Sequence, residues 1–461
     1  MKKGELHKLY EDVPDRIDSQ VRMLEANSAI PIYTGDFELS GDIKTVILNG
    51  TISYNWFPNS GVYFEGIPKI DLKEFISFNI ENKALKLIKD GIPMGDVFII
   101  STNYGHSESN LYIKGVFSGQ AVIGDISISV EKIIFSVPNL RDFFGDPIKV
   151  VTENNLSTCK GRVTLKNEES TIILDKSDLY KDLKTSVDKR GGYLILYSGE
   201  LSLNNKSITL ESSREIFHCL DTYLSFLNGR RTSGLFAHGL HQGNVKWVDY
   251  SDYHVDTYKA VTSWPPRHSI GGINEAWISF SSMWKSPDDK NFLTSFIHWY
   301  VEANGLVAFS EGSIILAQTA LELVYNWWIV ENKAMITGKD SENISASNKI
   351  RLLLSQIGLD CNVPKALSEL NKFVKTNPEI DDAPEAVVQI RNAIIHSQKE
   401  KRKKLNSIHY KAKYEALQLC LWYMELSLLK ILNYHGKYFN RCSNSKYMGP
   451  AEELVPWNKE K

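Results

Sequence analysis

The first half of the chain alternates short runs of β-branched and aromatic residues with turn residues. Runs of strand length include VFII (97–100), LYIKGVF (111–117), STIIL (170–174) and YLILYSGELSL (193–203). Within TVILNGTISYNWF (45–57), the dipeptide Asn49-Gly50 predicts a tight hairpin, because both residues tolerate positive φ. Few helical stretches separate these runs, so the pattern predicts an antiparallel sandwich or a barrel-like domain.

The second half has the hydrophobic period of helices. A helix is predicted over 213–227, capped by Ser213 and ended by Gly229, and the prolines and glycines of 263–272 then interrupt any regular element. Ser286-Pro287 begins a helix that runs to about Asn304. Further helices are predicted at about 311–333, at 347–357 ended by Gly358, from Pro364 onward, at 383–399 and at 407–433.

These patterns predict an α+β protein in three parts. Residues 1–235 form a β-rich N-terminal domain, residues 236–305 a connecting region with a helix, and residues 306–461 a helical bundle with a C-terminal tail. Short connections between the helices are typical of such a bundle.

Composition and charge narrow the function classes. The 461 residues are 43% hydrophobic and 23% charged with a net charge of −2, so any contact with nucleic acid must come from a local basic patch. The five cysteines are scattered without a Cys-x-x-Cys pair, which favours a reducing cytoplasm over a disulfide framework or a zinc knuckle. The N-terminus has no apolar core of a signal peptide, and no cofactor or membrane contact is predicted.

The helix predicted over 383–399 carries the candidate chemistry. On a helical wheel, the core-facing stripe consists of Ala383, Val387, Ile390 and Ile394. Asn392 and His396 lie one turn apart on the opposite, polar side, with Arg391 within reach. Val388 and Ile395 form a second apolar strip beside them, which suits packing against a second copy of the chain. Histidine can move protons near neutral pH and arginine can stabilise a pentacovalent phosphate, so the cluster suits metal-independent RNA cleavage. A solvated helix face explains the same residues without chemistry.

The segment Arg391-Asn392-Ala393-Ile394-Ile395-His396 resembles the Arg-polar-x-x-x-His motif of HEPN domains, which are dimerising helical bundles. The wider layout is similar to the ApeA-type abortive-infection proteins of antiphage defence. The resemblance covers about 305–445, with a tail like NYHGKYFNR…LVPW (433–457). It implies a HEPN-like bundle in which Arg391 and His396 are catalytic and Asn392 supports them.

The implied protein is a homodimeric HEPN-type endoribonuclease that cuts cellular RNA, with transfer RNA one candidate, in abortive infection. A phage-derived activator would relieve control by the β-rich domain. A basic run follows the motif, and if the site is catalytic this run is expected to bind RNA phosphates, while a solvated helix exit is the alternative: Lys399, Lys401, Arg402, Lys403 and Lys404. The alternative is a non-catalytic dimerisation protein whose β domain recognises a protein or a carbohydrate.

Two further residue groups have the chemistry of site residues. Glu322 lies in an apolar helix and has Arg391 as a potential partner, although exposure to water is an equal expectation. His238-x-x-His241 has the spacing of a metal-ligand pair but no third ligand nearby, so no metal site is predicted.

Overall fold

The computed structural model describes residues 12–81, 84–104, 111–152, 155–305, 309–396, 398–445 and 449–458. The N-terminal part of the chain forms a closed antiparallel barrel with strand order β1-β2-β3-β6-β5-β4. Its elements are β1 (Ile30–Ser40), β2 (Thr45–Asn55), β3 (Gly61–Pro68), helix α1 (Leu72–Glu81), β4 (Leu85–Lys89), β5 (Ile92–Tyr104) and β6 (Leu111–Phe117). Alternate residues such as Leu39, Leu48 and Leu87 point inward and are fully buried, as the period of two requires.

The hairpin predicted at Asn49-Gly50 is wrong. Both residues lie inside β2, paired with Ile67 and Gly66 of β3. A Cβ added to Gly50 would stand 2.0 Å from the carbonyl oxygen of Glu65. The glycine therefore serves close approach of two strands, which is the other use of glycine inside a strand.

The second β element is an eight-stranded antiparallel sheet with the order β7-β14-β13-β8-β12-β11-β10-β9. Helix α3 (Leu210–Asn228) is capped by Thr209 rather than by the predicted Ser213, and it ends at Gly229 in the left-handed conformation, as expected. The elements are β7 (Val122–Gly124), β8 (Lys132–Pro138), β9 (Asp146–Thr152), β10 (Asn155–Lys166), β11 (Ser170–Lys176), α2 (Tyr180–Arg190), β12 (Ile195–Leu203), α3 (Leu210–Asn228), β13 (Leu235–His241) and β14 (Asn244–Asp249). Because β13 pairs with β8, the sheet extends past residue 235.

The C-terminal region is helical. It contains α4 (Gly271–Met283), α5 (Pro287–Asn304), α6 (Phe309–Val324), a π-helix (Tyr325–Asn332), α7 (Gly338–Ser341), α8 (Ala346–Ile357), α9 (Ser368–Thr376), α10 (Ala383–Ile395), α11 (Lys399–Ser407) and α12 (Tyr410–Ile431). The predicted starts and stops at Ser286 and Gly358 are confirmed: Ser286 accepts a hydrogen bond from the backbone of Asp289, and Gly358 is left-handed. The chain then adds β15 (Lys437–Phe439), β16 (Glu452–Leu454) and a 3₁₀ turn (Pro456–Asn458).

The α+β prediction is confirmed at this level, with an antiparallel β-rich N-terminal region and a helical C-terminal region. Among the described residues, one helical stretch, Phe309–Asn332, is long and apolar enough to cross a membrane by length and composition. Slightly more than half of its most apolar window is buried, and α6 packs against α5 and α12. A core helix has the same properties.

A buried ion pair ties the tail to the helices. Arg441 and Glu425 have side chains that are 1% and 0% exposed, and their closest atoms are 2.5 Å apart. Tyr300 donates to Glu425 at 2.6 Å, and Arg441 donates to the carbonyl of Thr262 at 3.0 Å. The network therefore joins α5, α12, the tail and the segment that leads out of the sheet.

Candidate functional site

Helix α10 holds the predicted motif. Asp382 caps it by accepting from the backbone of Glu385 at 2.9 Å, and Pro384 occupies the first turn. Ala383, Val387 and Ile390 are fully buried, as the predicted core stripe requires. The local sequence thus fixes where the helix begins and which face it buries.

The helix ends at Ile395, four residues before the end of the predicted range 383–399. His396 is its C-cap, with φ −84° and ψ 103°, and its backbone N–H donates to the carbonyl of Asn392 at 3.1 Å. The reason lies downstream, where Leu405 and Ile408 pack into the core and Lys404 pairs with Glu379 at 3.1 Å. A straight helix could not bring those apolar side chains back to the core.

Arg391 is half-buried on the last full turn of α10. Its Nη1 donates to Asn392 Oδ1 at 3.3 Å, which is a long contact. Its Nε is buried and has no acceptor within the described part of the chain. Arg391 and Asn392 are therefore together, while the exposed His396 lies beyond the end of the helix.

The strip predicted to face a second copy is only partly available. Val388 is 6% exposed and belongs to the core, so that part of the prediction is wrong. Ile395 is 41% exposed. The wheel placed both residues outside the stripe of Ala383 and Ile390, but neighbouring helices cover more than one face of α10, including α8 and α12.

Two of the basic residues predicted to bind RNA phosphates form ion pairs with glutamates. Lys403 pairs with Glu400 at the surface, Lys404 with Glu379, and Lys399 is exposed. The side chains of Lys401 and Arg402 lie outside the described residues. Charges in such surface pairs remain available to a polyanion, because exposed pairs contribute little.

Glu322 does not pair with Arg391. Its Oε1 lies 2.6 Å from Nζ of Lys349, and the Glu322 side chain is half exposed. The sequence did not reveal Arg351, which holds Asp382 with two bonds of 2.7 and 2.9 Å and lies 3.9 Å from Glu385. This bidentate pair fixes α8 against the start of α10.

The predicted histidine pair is separated by its strand. His238 is buried, and its Nδ1 lies 2.7 Å from the carbonyl oxygen of Phe236. His241 instead lies near Glu131, at 3.6 Å. Among the described residues, no group of three or more His, Cys, Asp or Glu side chains is arranged to hold a metal ion.

A large cleft beside α3 also escaped the sequence reasoning. It has a volume of about 1100 Å³ and includes three residues at helical spacing on α3: Arg214, His218 and Asp221. Arg214 and Tyr253 both donate to Asp249 Oδ2, at 3.1 and 3.2 Å. The spacing of 214, 218 and 221 is the signal that was available in the sequence.

The titratable groups of this cleft are perturbed by burial. Burial raises the pKa of Asp221 well above its ordinary value, although its Oδ1 accepts from the backbone of Gly234 at 2.8 Å. Burial and the charge of Lys290 lower the pKa of His218, whose ring lies edge-on to Trp284 at 4.9 Å. The cleft thus places a buried carboxyl, an imidazole and the guanidinium of Arg214 where a polar ligand could contact them.

Two family models match this chain, one over most of the eight-stranded sheet and one over most of the helical region. Residues 125–261 match the family model described as the YopA central domain, and residues 286–452 match that of the YopA C-terminal domain. The first segment covers nearly the whole eight-stranded sheet and the second covers the helices from the cap of α5 onward. No solved structure matches the chain.

The chain also aligns with "SPbeta prophage-derived uncharacterized protein YopA" of Bacillus subtilis (strain 168). The two are 26% identical over 449 residues, which span 96% of this chain and 98% of that protein. The alignment therefore includes the barrel, which neither family model covers. Along almost its whole length this chain is similar to a prophage-derived YopA protein, and its central and C-terminal segments match the two YopA domain models.

Proposed function

We propose that the helical region is a HEPN-like, metal-independent RNA endonuclease in which Arg391 and His396 act on one phosphodiester. The observation that carries this proposal is the buried Nε of Arg391, which lacks an acceptor within the described residues, five positions before an exposed histidine. A buried polar group without a partner is costly, and an anionic ligand would supply one. The expected anion is a phosphate of RNA.

The chemistry follows from the two side chains. His396 takes the proton of a 2′-hydroxyl, whose oxygen attacks the adjacent phosphorus, and the bond to the 5′-oxygen breaks. The guanidinium of Arg391 binds the equatorial oxygens as charge accumulates on them, and Asn392 orients that guanidinium through the 3.3 Å contact. A second histidine is needed to protonate the leaving oxygen, and a second copy of the chain would provide it.

The proposal therefore includes a homodimer. The large cleft beside α3 is lined by neither Arg391 nor His396. Two copies related by a twofold axis would form a groove from two such clusters, with Ile395 as an exposed apolar contact. The site is then incomplete in one chain.

A role in conflict between phages and their host is part of this proposal. The similar protein from Bacillus subtilis is prophage-derived by name. Cleavage of cellular RNA, including transfer RNA, would stop growth during infection, and the β-rich region would hold the nuclease inactive until a phage-derived activator arrives. Such control explains how a cell could tolerate the protein before infection.

The test is an RNA digest in the presence of a chelator. Purified full-length protein, His396→Ala and Arg391→Ala are incubated with total RNA, with His409→Ala as the control because His409 is also an exposed histidine near a helix end. We expect 2′,3′-cyclic phosphate ends from the wild type and the control only. Cleavage by His396→Ala at the wild-type rate would remove this residue from the mechanism.

The cleft beside α3 favours a second candidate function, recognition of a polar ligand by a protein without catalytic activity. Its 1100 Å³ suit a peptide end or an oligosaccharide, and Arg214, Asp221 and Tyr253 supply donors and acceptors. In that case Arg214→Ala, but not His396→Ala, would abolish growth arrest in cells. Relief of arrest by His396→Ala would favour the nuclease.

A further inference from the structure

A cationic cavity lies between the sheet, helix α2 and the segment that leads to α4. Its volume is about 350 Å³. The charged residues of its wall are five bases and one acid: Arg141, Lys184, Arg230, Lys259, Arg267 and Asp142. These residues are far apart in the sequence, so the excess of positive charge is a product of the fold.

Arg230 is the central member of this wall. It is 5% exposed, and its two terminal nitrogens donate to the carbonyl oxygens of Lys259 and Asn139, each at 2.7 Å. Its Nε is buried without an acceptor in the part of the chain that the structure describes. Tyr258 stacks on the guanidinium, with 4.2 Å from the ring centre to Cζ. None of these direct contacts is with a carboxylate, although the charge of the nearby Asp256 acts to raise the pKa of the guanidinium.

Two neighbouring arginines add to the positive charge of Arg230. Arg141 donates to the carbonyl of Leu227 at 3.3 Å, and burial lowers the pKa of its guanidinium. Arg267 pairs with Asp142 at 2.5 Å, but that carboxylate also binds Lys176. The Nε of Arg267, like that of Arg230, is buried and lacks an acceptor among the described residues.

Two lysines complete the wall. Lys184 lies 2.5 Å from Asp188 on its own helix, whereas Lys259 is exposed at the rim and no ion pair joins it to another described residue. Burial of uncompensated charge is among the most expensive features of a folded protein. A bound anion with several oxygens would accept the two free Nε–H groups and offset the charge.

We propose that this cavity binds the phosphate groups of a small ligand. Arginine donors in a fixed fork match phosphate oxygens in geometry, and several converging cations favour a di- or triphosphate over a carboxylate. The volume is at the lower end of small-molecule sites and suits the phosphates rather than an RNA strand. This site is independent of Arg391 and His396.

The position of the cavity gives its ligand a route to the helices. Its wall ends at Val261, and the next residue, Thr262, accepts from both Arg441 and Asn304 through its carbonyl oxygen, at 3.0 and 2.8 Å. A ligand that orders Lys259 at the rim would also fix this segment. The bound anion would therefore stabilise the junction between sheet and helices.

The experiment measures binding of three probes to the full chain by calorimetry and by thermal unfolding, in EDTA at constant salt. Pyrophosphate and ATP should bind and raise the melting temperature, and adenosine should do neither. Stronger binding of ATP than of pyrophosphate would identify a nucleotide as the natural class, and equal binding would identify the phosphates alone as the recognised part. Both results support the site.

Three variants test the assignment. Lys259→Ala at the exposed rim should fold normally and weaken pyrophosphate binding about tenfold, the effect of one charge-assisted hydrogen bond. Arg141→Gln should have an effect of similar size, while Arg230→Met should abolish binding if circular dichroism shows it folded. The matched control is Lys189→Ala, since Lys189 is exposed on α2 but does not line the cavity.

Two results would overturn the proposal. One is the absence of pyrophosphate and ATP binding to the wild type at millimolar concentration. The other is binding that Lys259→Ala and Arg141→Gln leave unchanged, or that Lys189→Ala weakens equally, because either pattern would assign the anion to general surface charge. RNA cleavage enters neither outcome, so a failed nuclease test leaves this one valid.

Discussion

Loss of either member of the Arg441–Glu425 pair should destabilise the helical region by about 3–5 kcal/mol, because it leaves a buried charge without its counter-ion. Both side chains are at most 1% exposed. Burial works to lower the pKa of Arg441, but Glu425 and Tyr300 raise it overall, which indicates that the pair is well matched. Glu425→Gln and Arg441→Met are the two single changes.

The structure also predicts that the two changes are not additive. In Glu425→Gln the guanidinium keeps Asn304 at 3.2 Å and Gln418 at 3.0 Å but loses its only carboxylate partner among the described residues. The double variant Glu425→Gln with Arg441→Met removes both charges together. We expect the double variant to lose less unfolding free energy than the sum of the losses of the two single variants, by at least about 1 kcal/mol.

The assay is urea unfolding followed by tryptophan fluorescence, with hydrogen exchange of tail peptides covering 433–445 as the local measurement. The matched control is Lys285→Ala, because its ion pair with Glu169 is exposed, at 56% and 63%, and should be worth less than about 1 kcal/mol. Single variants that unfold like this control, with unchanged exchange in the tail, would refute the reasoning.

Three further predictions test separate parts of the molecule. Gly50→Ala should destabilise the barrel by about 1–3 kcal/mol in urea unfolding, since the added Cβ meets the backbone of Glu65. Gly271→Ala has open space around the added Cβ and should not destabilise the protein. Burial raises the pKa of Asp221, so the contribution of this carboxyl to stability is full below the ordinary pKa of 3.8 and declines as the pH rises. Asp221→Asn should therefore raise the urea midpoint at about pH 7. A gain in the urea midpoint that persists in acid would contradict this. Asp142→Asn removes the one acid of the cationic cavity and should tighten pyrophosphate binding in calorimetry, and weaker binding would count against the site.

Local signals predicted many of the element boundaries. The Ser286 cap, the Gly229 and Gly358 terminators and the core face of α10 follow from spacing and from residue types that satisfy free backbone groups. The α+β division follows from the change of hydrophobic period between the two halves. Each of these signals acts within one or two turns of its own residue, which is why a single sequence suffices to find it.

The helical wheel of α10 was sufficient for its core but not for its polar side. Val388 is buried because a neighbouring helix covers it, and the chain leaves α10 at Ile395 because Leu405 and Ile408 must return to the core. The distance along the chain from Arg391 to His396 is unchanged, but their relative orientation is set by this turn. Spacing could not decide it.

The sequence by itself determined the two classes of secondary structure, the caps and the placement of an arginine, an asparagine and a histidine near one helix end. Only the tertiary structure decided that Arg141, Arg230 and Arg267 line one cavity. The physical reason is range: hydrogen bonds and periodicity act between near neighbours, whereas the charge of a cavity is the sum over residues that long-range packing brings together.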